Sequence, residues 1–183
     1  MSTQLHIGEQ SSAAYARKRI VQGLRGLRPK WGASSTDRSI LELLTPEQRS
    51  RFTALPVFDQ QHLCRVANHL VAQGVTDRDV LVAGLLHDIG KSDGRTQVRL
   101  TDRIAKVVLR HASPGTLRSV ASSYPGGRFP GLALTMLHPE LGADQARAMG
   151  CSERTCWLIR NHEAETDLGD HDLARLQAAD FAS

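Results

Sequence analysis

The chain reads as an all-α protein, a helical bundle, and three observations predict it. No stretch alternates apolar and polar residues over the length of a strand. Helix-start signals recur, as in Thr45-Pro46-Glu47-Gln48, with Thr as N-cap, Pro at N1 and Gln at N3. Between such signals one face returns at helical spacing, as Phe58, His62, Val66, His69 and Leu70 do.

A length of 183 residues suits one domain with a sizeable core and a small N-terminal extension. Residues 1–44 read as a helical extension and linker, and 45–183 as the main domain. Apolar residues make up 40% and charged residues 23%, the balance of an ordinary globular chain. A formal charge of +4 is compatible with anionic ligands. Aromatic residues are only 4%, so a base-stacking platform is not expected and nucleic acid is not the expected partner. Cys64, Cys151 and Cys156 form no CxxC, which argues against a disulfide framework or zinc ribbon and fits a reducing cytoplasm. No apolar run nears the ~18 residues of a membrane span, and Met1–Ser12 lacks a signal-peptide centre. The expectation is a cytoplasmic protein with no membrane partner.

In chain order, residues 1–12 read as a polar tail. A basic helix is expected over 13–27, weakened by Gly23 and Gly26, and a connector over 28–36. A short apolar turn follows at Ile40, Leu41, Leu43 and Leu44. The Thr45 signal opens a helix to about Ala54, and the next runs from Val57 to Gln73, closed by Gly74. Thr76-Asp77-Arg78-Asp79 reads as a capping box for a helix towards His87, in which small Ala83 and Gly84 admit a close neighbour. Further helices are expected over 100–111 and 117–123, then a turn-rich loop over 124–131. A helix from Leu132 to Met149 should break at Pro139. Ser152 caps a helix to His162, and Asp170 opens the last one.

Chemistry concentrates at Leu85-Leu86-His87-Asp88-Ile89-Gly90-Lys91. A neutral imidazole beside a carboxylate is an N/O donor pair for a transition-metal or hard divalent ion. Gly90 reads as a sharp helix exit in the left-handed conformation. Lys91 places a mobile cation about one turn from the donors, where an anionic substrate could sit. His62, His138, His162 and Asp180 fall on other helical segments, which is how a bundle core assembles a metal site. His111 competes with His138. His69 reads as a surface or packing residue, and His171 and His6 as solvated.

Five stretches in order carry a resemblance: Gln61-His62-Leu63-Cys64-Arg65-Val66-Ala67, the His87-Asp88 heptapeptide, His138-Pro139-Glu140-Leu141-Gly142-Ala143, Ile159-Arg160-Asn161-His162-Glu163 and Leu176-Gln177-Ala178-Ala179-Asp180. Together they resemble the HD-domain metal-dependent phosphohydrolase superfamily, in its HDIG form. The resemblance implies an HD helical bundle over 45–183 with a metal site of His62, His87, Asp88 and Asp180. In members with a second ion, Asp88 bridges while His138 and His162 bind that ion. The HPELGA context favours His138 over His111. The implied cofactors are two divalent ions from among Fe, Mn, Co and Mg, which would polarise a phosphoryl oxygen and generate a hydroxide near neutral pH. Asp88 and Lys91 are the implied catalytic residues, Lys91 by contacting a substrate phosphate. Glu163 is expected to support the ligands from behind.

The implied activity is hydrolysis of a nucleotide-like phosphoester or phosphoanhydride, with dinucleoside polyphosphates first among small-molecule phosphorylated substrates. The resemblance also admits an HD-fold di-iron oxygenase and a non-catalytic HD signalling module. Asn161-His162 replaces the His-His of some relatives, so a third metal is not expected. The GYP and HDxxED signatures of cyclic-dinucleotide phosphodiesterases and alarmone hydrolases are absent. Arg95, Arg99, Arg103, Arg110, Arg118 and Arg128 could form a basic rim.

Overall fold

The computed structural model describes residues 39–183, and every regular element in them is helical. The tail, the helix over 13–27, its basic cluster, the connector and His6 lie outside the described residues. In order come α1 (Pro46–Thr53), α2 (Val57–Ala72), α3 (Arg78–Leu86) and a 3₁₀ turn (Ile89–Lys91). They are followed by α4 (Leu100–Ala112), α5 (Pro114–Ser122), α6 (Pro130–Ala148), α7 (Glu153–Asn161) and α8 (His171–Ala182). The one β-type contact among the described residues is an isolated bridge between Ser92 and Gln97. No described helix is long and apolar enough to cross a membrane.

The axis of the bundle is α3, whose residues from Val80 to Leu86 are all buried. An all-apolar run of this length has no polar face to give to solvent, so neighbours must cover it on every side. α2, α7 and α8 do so, with Leu63, Val66, Leu70, Leu158, Ile159 and Leu176 in one core cluster. Each such side chain contributes ~1.5–3 kcal/mol relative to exposure. Ile40 and Leu44 join the same cluster. Gly84 is the close-approach point anticipated above: a Cβ there would lie 2.8 Å from Leu70 Cδ1 and 3.5 Å from Ala67 Cα.

The caps follow the sequence with one change. Thr45 accepts from the Gln48 amide and Gln48 returns the bond to the Thr45 amide, completing the capping box. Ahead of α3 the cap is Asp77, not Thr76: its carboxylate accepts from the Asp79 and Val80 amides. A carboxylate satisfies two orphan donors at once, which a threonine hydroxyl does less well. Gly74 and Gly150 close α2 and α6 with φ of 79° and 72°.

Two expectations are overturned. Gly90 does not take the left-handed conformation; positive φ among the described glycines occurs at Gly74, Gly94, Gly150 and Gly169. It is needed for close approach instead, because a Cβ on Gly90 would sit 2.2 Å from the His138 carbonyl oxygen and 2.5 Å from the Gly142 amide. Nor does Pro139 break its helix, since α6 runs unbroken from Pro130 to Ala148. Proline costs a helix one N–H bond, here the one that would reach the Thr135 carbonyl. That carbonyl accepts instead from Lys106 Nζ at 2.8 Å and His138 Nδ1 at 3.2 Å.

α4 is built differently from the rest, for it has no buried residue. Leu100, Ile104 and Val108 form an exposed apolar stripe. The opposite face is tied down by charge: Arg103 to Asp59 on α2 at 2.7 Å, Lys106 to Glu163 at 2.9 Å, and Arg110 to Glu165. Arg103 also lies over the Phe58 ring.

α8 begins at Asp170, which accepts from the Leu173 amide and pairs with both terminal nitrogens of Arg154. Those Arg154 bonds, with the helix N-terminus, hold the Asp170 carboxyl down at about 2. A carboxyl lowered on folding stabilises above its unfolded pKa of ~3.9 and loses that contribution as pH falls towards the folded value. Asp170→Ala is expected to cost about 1 kcal/mol, the usual value of an N-cap, with solvent screening limiting the ion-pair share. Urea titrations of both proteins should show the gap constant above pH 5 and closing between pH 4 and 2; a pH-independent gap would remove Asp170 as its source.

Candidate metal centre

The predicted donors enter one volume from five directions. His62 stands on α2, and Asp180 lies near the end of α8. His87 and Asp88 follow the last residue of α3, and His162 follows the last residue of α7. His138 projects from the middle of α6. The carbonyl ends of α3 and α7 therefore both face the site, which favours a cation there.

Asp88 lies between two groups of nitrogens. Its Oδ2 is 3.8 Å from His62 Nε2 and 3.6 Å from His87 Nε2. Its Oδ1 is 3.3 Å from His138 Nε2 and 3.7 Å from His162 Nε2. Asp180 Oδ1 closes the first group, 3.0 Å from His62 Nε2 and 3.7 Å from His87 Nε2. Each oxygen of one carboxylate thus serves a separate donor cluster. The ε-ammonium of Lys91 donates to Asp88 Oδ2. His87, Asp88, His138 and His162 are buried, whereas His62, Asp180 and Lys91 are partly open, so solvent reaches the site from the α2–α8 side.

The tautomers follow from carbonyl acceptors, which can only be donated to. Nδ1 of His87, His138 and His162 bonds the carbonyl three residues earlier: Gly84 at 3.1 Å, Thr135 at 3.2 Å and Ile159 at 2.7 Å. With the proton on Nδ1, each neutral ring aims an Nε2 lone pair inward. Two results of this arrangement fit a cation. His87 Nε2 is buried without a hydrogen-bond partner. His138 Nε2 and His162 Nε2 face each other across 3.3 Å, and a cation beside them would relieve the approach of the two lone pairs.

The two carboxylates and two of the imidazoles are held in the charge states that ligation needs. Burial would raise Asp88, but Lys91 and His87 outweigh it and hold the carboxyl well below its usual range. Asp180 is likewise held low against burial, by His62 Nε2 at 3.0 Å and by the nearby imidazole of His87. Burial lowers His62 despite Asp180, and it lowers His138 to about 4 despite Glu163 and Asp88. His87 is raised, because Asp88 and Asp180 together overcome its burial. Near neutral pH the carboxylates are anionic and His62 and His138 are unprotonated, the forms a metal takes.

Groups of donors within 4.8 Å of one another comprise His62, His87 and Asp180; His87, Asp88 and His162; and His138, His162 and Glu163. Glu163 stands on the Nε2 side of His138, its Oε1 3.8 Å away, because Nδ1 is already taken by Thr135. Burial opposes ionisation of Glu163, yet His138 and Lys106 pull it to about 2. His111 lies in the exposed last turn of α4, outside all these groups, and His69 and His171 are exposed on α2 and α8. The six arginines do not act as one rim: Arg103 and Arg110 are committed to Asp59 and Glu165, while Arg95 lines a separate surface depression with Arg51, Gln97 and Gln145. Lys106 and Thr135 carry no signal of a role in the sequence. Lys106 reaches Glu163 across 57 positions, and nothing local marks it.

Residues 60–180, about two thirds of the chain, match the HD domain among protein families. No curated protein and no solved structure matches the chain.

Proposed function

This chain belongs to the HD-domain family, and from that premise we propose that it is a metal-dependent phosphohydrolase. Its substrate is a nucleotide-like phosphoester or phosphoanhydride, dinucleoside polyphosphates first. The observation that carries this reading is the two-sided use of Asp88, with His62, His87 and Asp180 on Oδ2's side and His138 and His162 on Oδ1's. These six residues would hold two divalent ions, of Fe, Mn, Co or Mg. Such ions supply Lewis acidity, polarising a phosphoryl oxygen and making water acidic enough to lose a proton near neutral pH.

The side chains do the rest. Lys91, whose ammonium borders the donors and is partly open to solvent, binds the substrate phosphate and offsets charge that develops on it. The water oxygen bonds to phosphorus as the P–O bond to the leaving group breaks, and the leaving oxygen takes up a proton. The buried His87, His138 and His162 keep fixed tautomers throughout, so little reorganisation accompanies the reaction.

The test is turnover of a phosphoester and dinucleoside polyphosphate panel by protein loaded with Mn²⁺, Fe²⁺, Co²⁺ or Mg²⁺, with and without air. Phosphate release independent of oxygen is the expected result. Silence with every metal overturns the proposal. Product formation that requires air and two irons would transfer the site to the oxygenase reading, and protein that purifies with little metal and no turnover to the non-catalytic one.

A further inference from the structure

The three buried histidines solve one problem in two ways. Each needs a backbone carbonyl three residues back with a lone pair to spare for Nδ1–H. For His87 and His162 a helix end provides it. Gly84 and Ile159 lie in the last turns of α3 and α7, where carbonyls have no intrahelical partner. His138 has no helix end nearby, since α6 continues for ten residues beyond it. In an uninterrupted helix the Thr135 carbonyl would be engaged by the amide of residue 139. That residue is proline and has no amide hydrogen.

We propose that Pro139 is a positioning residue: by withholding an N–H from the Thr135 carbonyl, it creates a helix-end acceptor in mid-helix and so fixes His138 with Nε2 towards Asp88. The carbonyl has two lone pairs, and the structure shows both in use. His138 Nδ1 donates to it at 3.2 Å and Lys106 Nζ at 2.8 Å. Lys106 is held over this carbonyl by Glu163 at 2.9 Å. A main-chain N–H at position 139 would be a third donor for two lone pairs. It would lie along the helix axis in the best geometry, leaving His138 as the donor displaced. The proline is buried and fully within α6, so it is not tolerated as a loop residue or a helix start.

This inference rests on the reading of His138 as a donor to the second ion, and its test separates the two. In metal-free full-length protein near neutral pH, ¹⁵N–¹H spectra of the imidazoles should show His87, His138 and His162 all protonated at Nδ1. In Pro139→Ala the His138 pattern should move to the Nε2–H tautomer or a mixture, with His87 and His162 as unchanged internal controls. Manganese titration should then show the first ion retained and the second bound at least ~10-fold more weakly. Thermal stability should not fall, because alanine is the better helix former. Stability and ion affinity moving apart is the signature that a packing role would not give. Pro139→Gly, which also restores the N–H, gives the same reading should the alanine variant not fold. Lys106→Met should leave the His138 tautomer in place; if it releases the tautomer and Pro139→Ala does not, Lys106 is the organiser and the proposal is overturned. An unaltered His138 pattern with two equal ions in Pro139→Ala also overturns it. A tautomer shift in protein that hydrolyses no phosphoester would leave this inference standing while the phosphohydrolase reading fell.

Discussion

Asp88→Asn is expected to abolish turnover and to strip the site of most of its metal. Asparagine keeps the shape and one carbonyl oxygen but loses the charge and the second anionic oxygen, so a single change weakens both donor clusters at once. Loss of a partner one layer behind a ligand costs ~10–100-fold in affinity or activity, so loss of the shared ligand should exceed ~100-fold. The fold should survive, because the amide can still accept from Lys91, whose ammonium now donates to the Asp88 carboxylate. Metal analysis and phosphate release, run beside a circular dichroism spectrum, check each part. A variant that keeps two ions and wild-type turnover would remove Asp88 from the centre of the mechanism.

Among the described glycines, Gly90→Ala should be the most damaging added methyl group. Overpacking a core ordinarily costs ~1–3 kcal/mol, because neighbouring side chains can shift. Here the obstacles are backbone atoms of α6, at 2.2 Å and 2.5 Å, which move only if the helix moves. A loss of at least ~3 kcal/mol is expected, equivalent to a Tm lower by ~6–12 °C at this size. Displacing α6 also carries His138 away from Asp88 Oδ1, so second-ion affinity should fall with stability. Gly74→Ala is the control. Its φ is 79° and no atom lies within 4 Å of the new Cβ, so only the left-handed strain of ~1–2 kcal/mol remains. Equal urea midpoints for the two variants would show that the Gly90 contact yields more easily than its geometry implies.

These two residues also show what could be read from the sequence and what could not. The His and Asp residues that meet in the structure are legible because a metal site would restrict residue type, and their order along the chain carries the family resemblance. The helices were legible from periodicity and caps, since Thr45, Ser152 and Asp170 act locally. Asp77 takes the place of Thr76 as cap because both residue types can serve and the carboxylate accepts from two orphan amides. Gly90 reads as a turn residue in the sequence because conformation is a local property. Its real partners, His138 and Gly142, are about fifty positions away. Pro139 reads as a break for the same reason: local rules count the bond it loses, while Lys106 and His138, which take over the acceptor, become visible only in three dimensions.

The attachment of α4 has a consequence for how the molecule breathes. A helix anchored in a core opens only when much of the domain does, whereas one held by ion pairs has its own low-energy opening. Salt screens such ties when they lie near solvent and leaves apolar contacts intact. Backbone amides of α4 are therefore expected to exchange with deuterium well before those of α3, and the gap should widen as ionic strength rises. Equal protection of the two helices at all salt concentrations would contradict this. Since Lys106 rides on α4, each opening also releases the Thr135 carbonyl and Glu163 from their common ammonium. Ionic strength would thereby set how often the His138 side of the site meets bulk water, while the side formed by α3 stays closed.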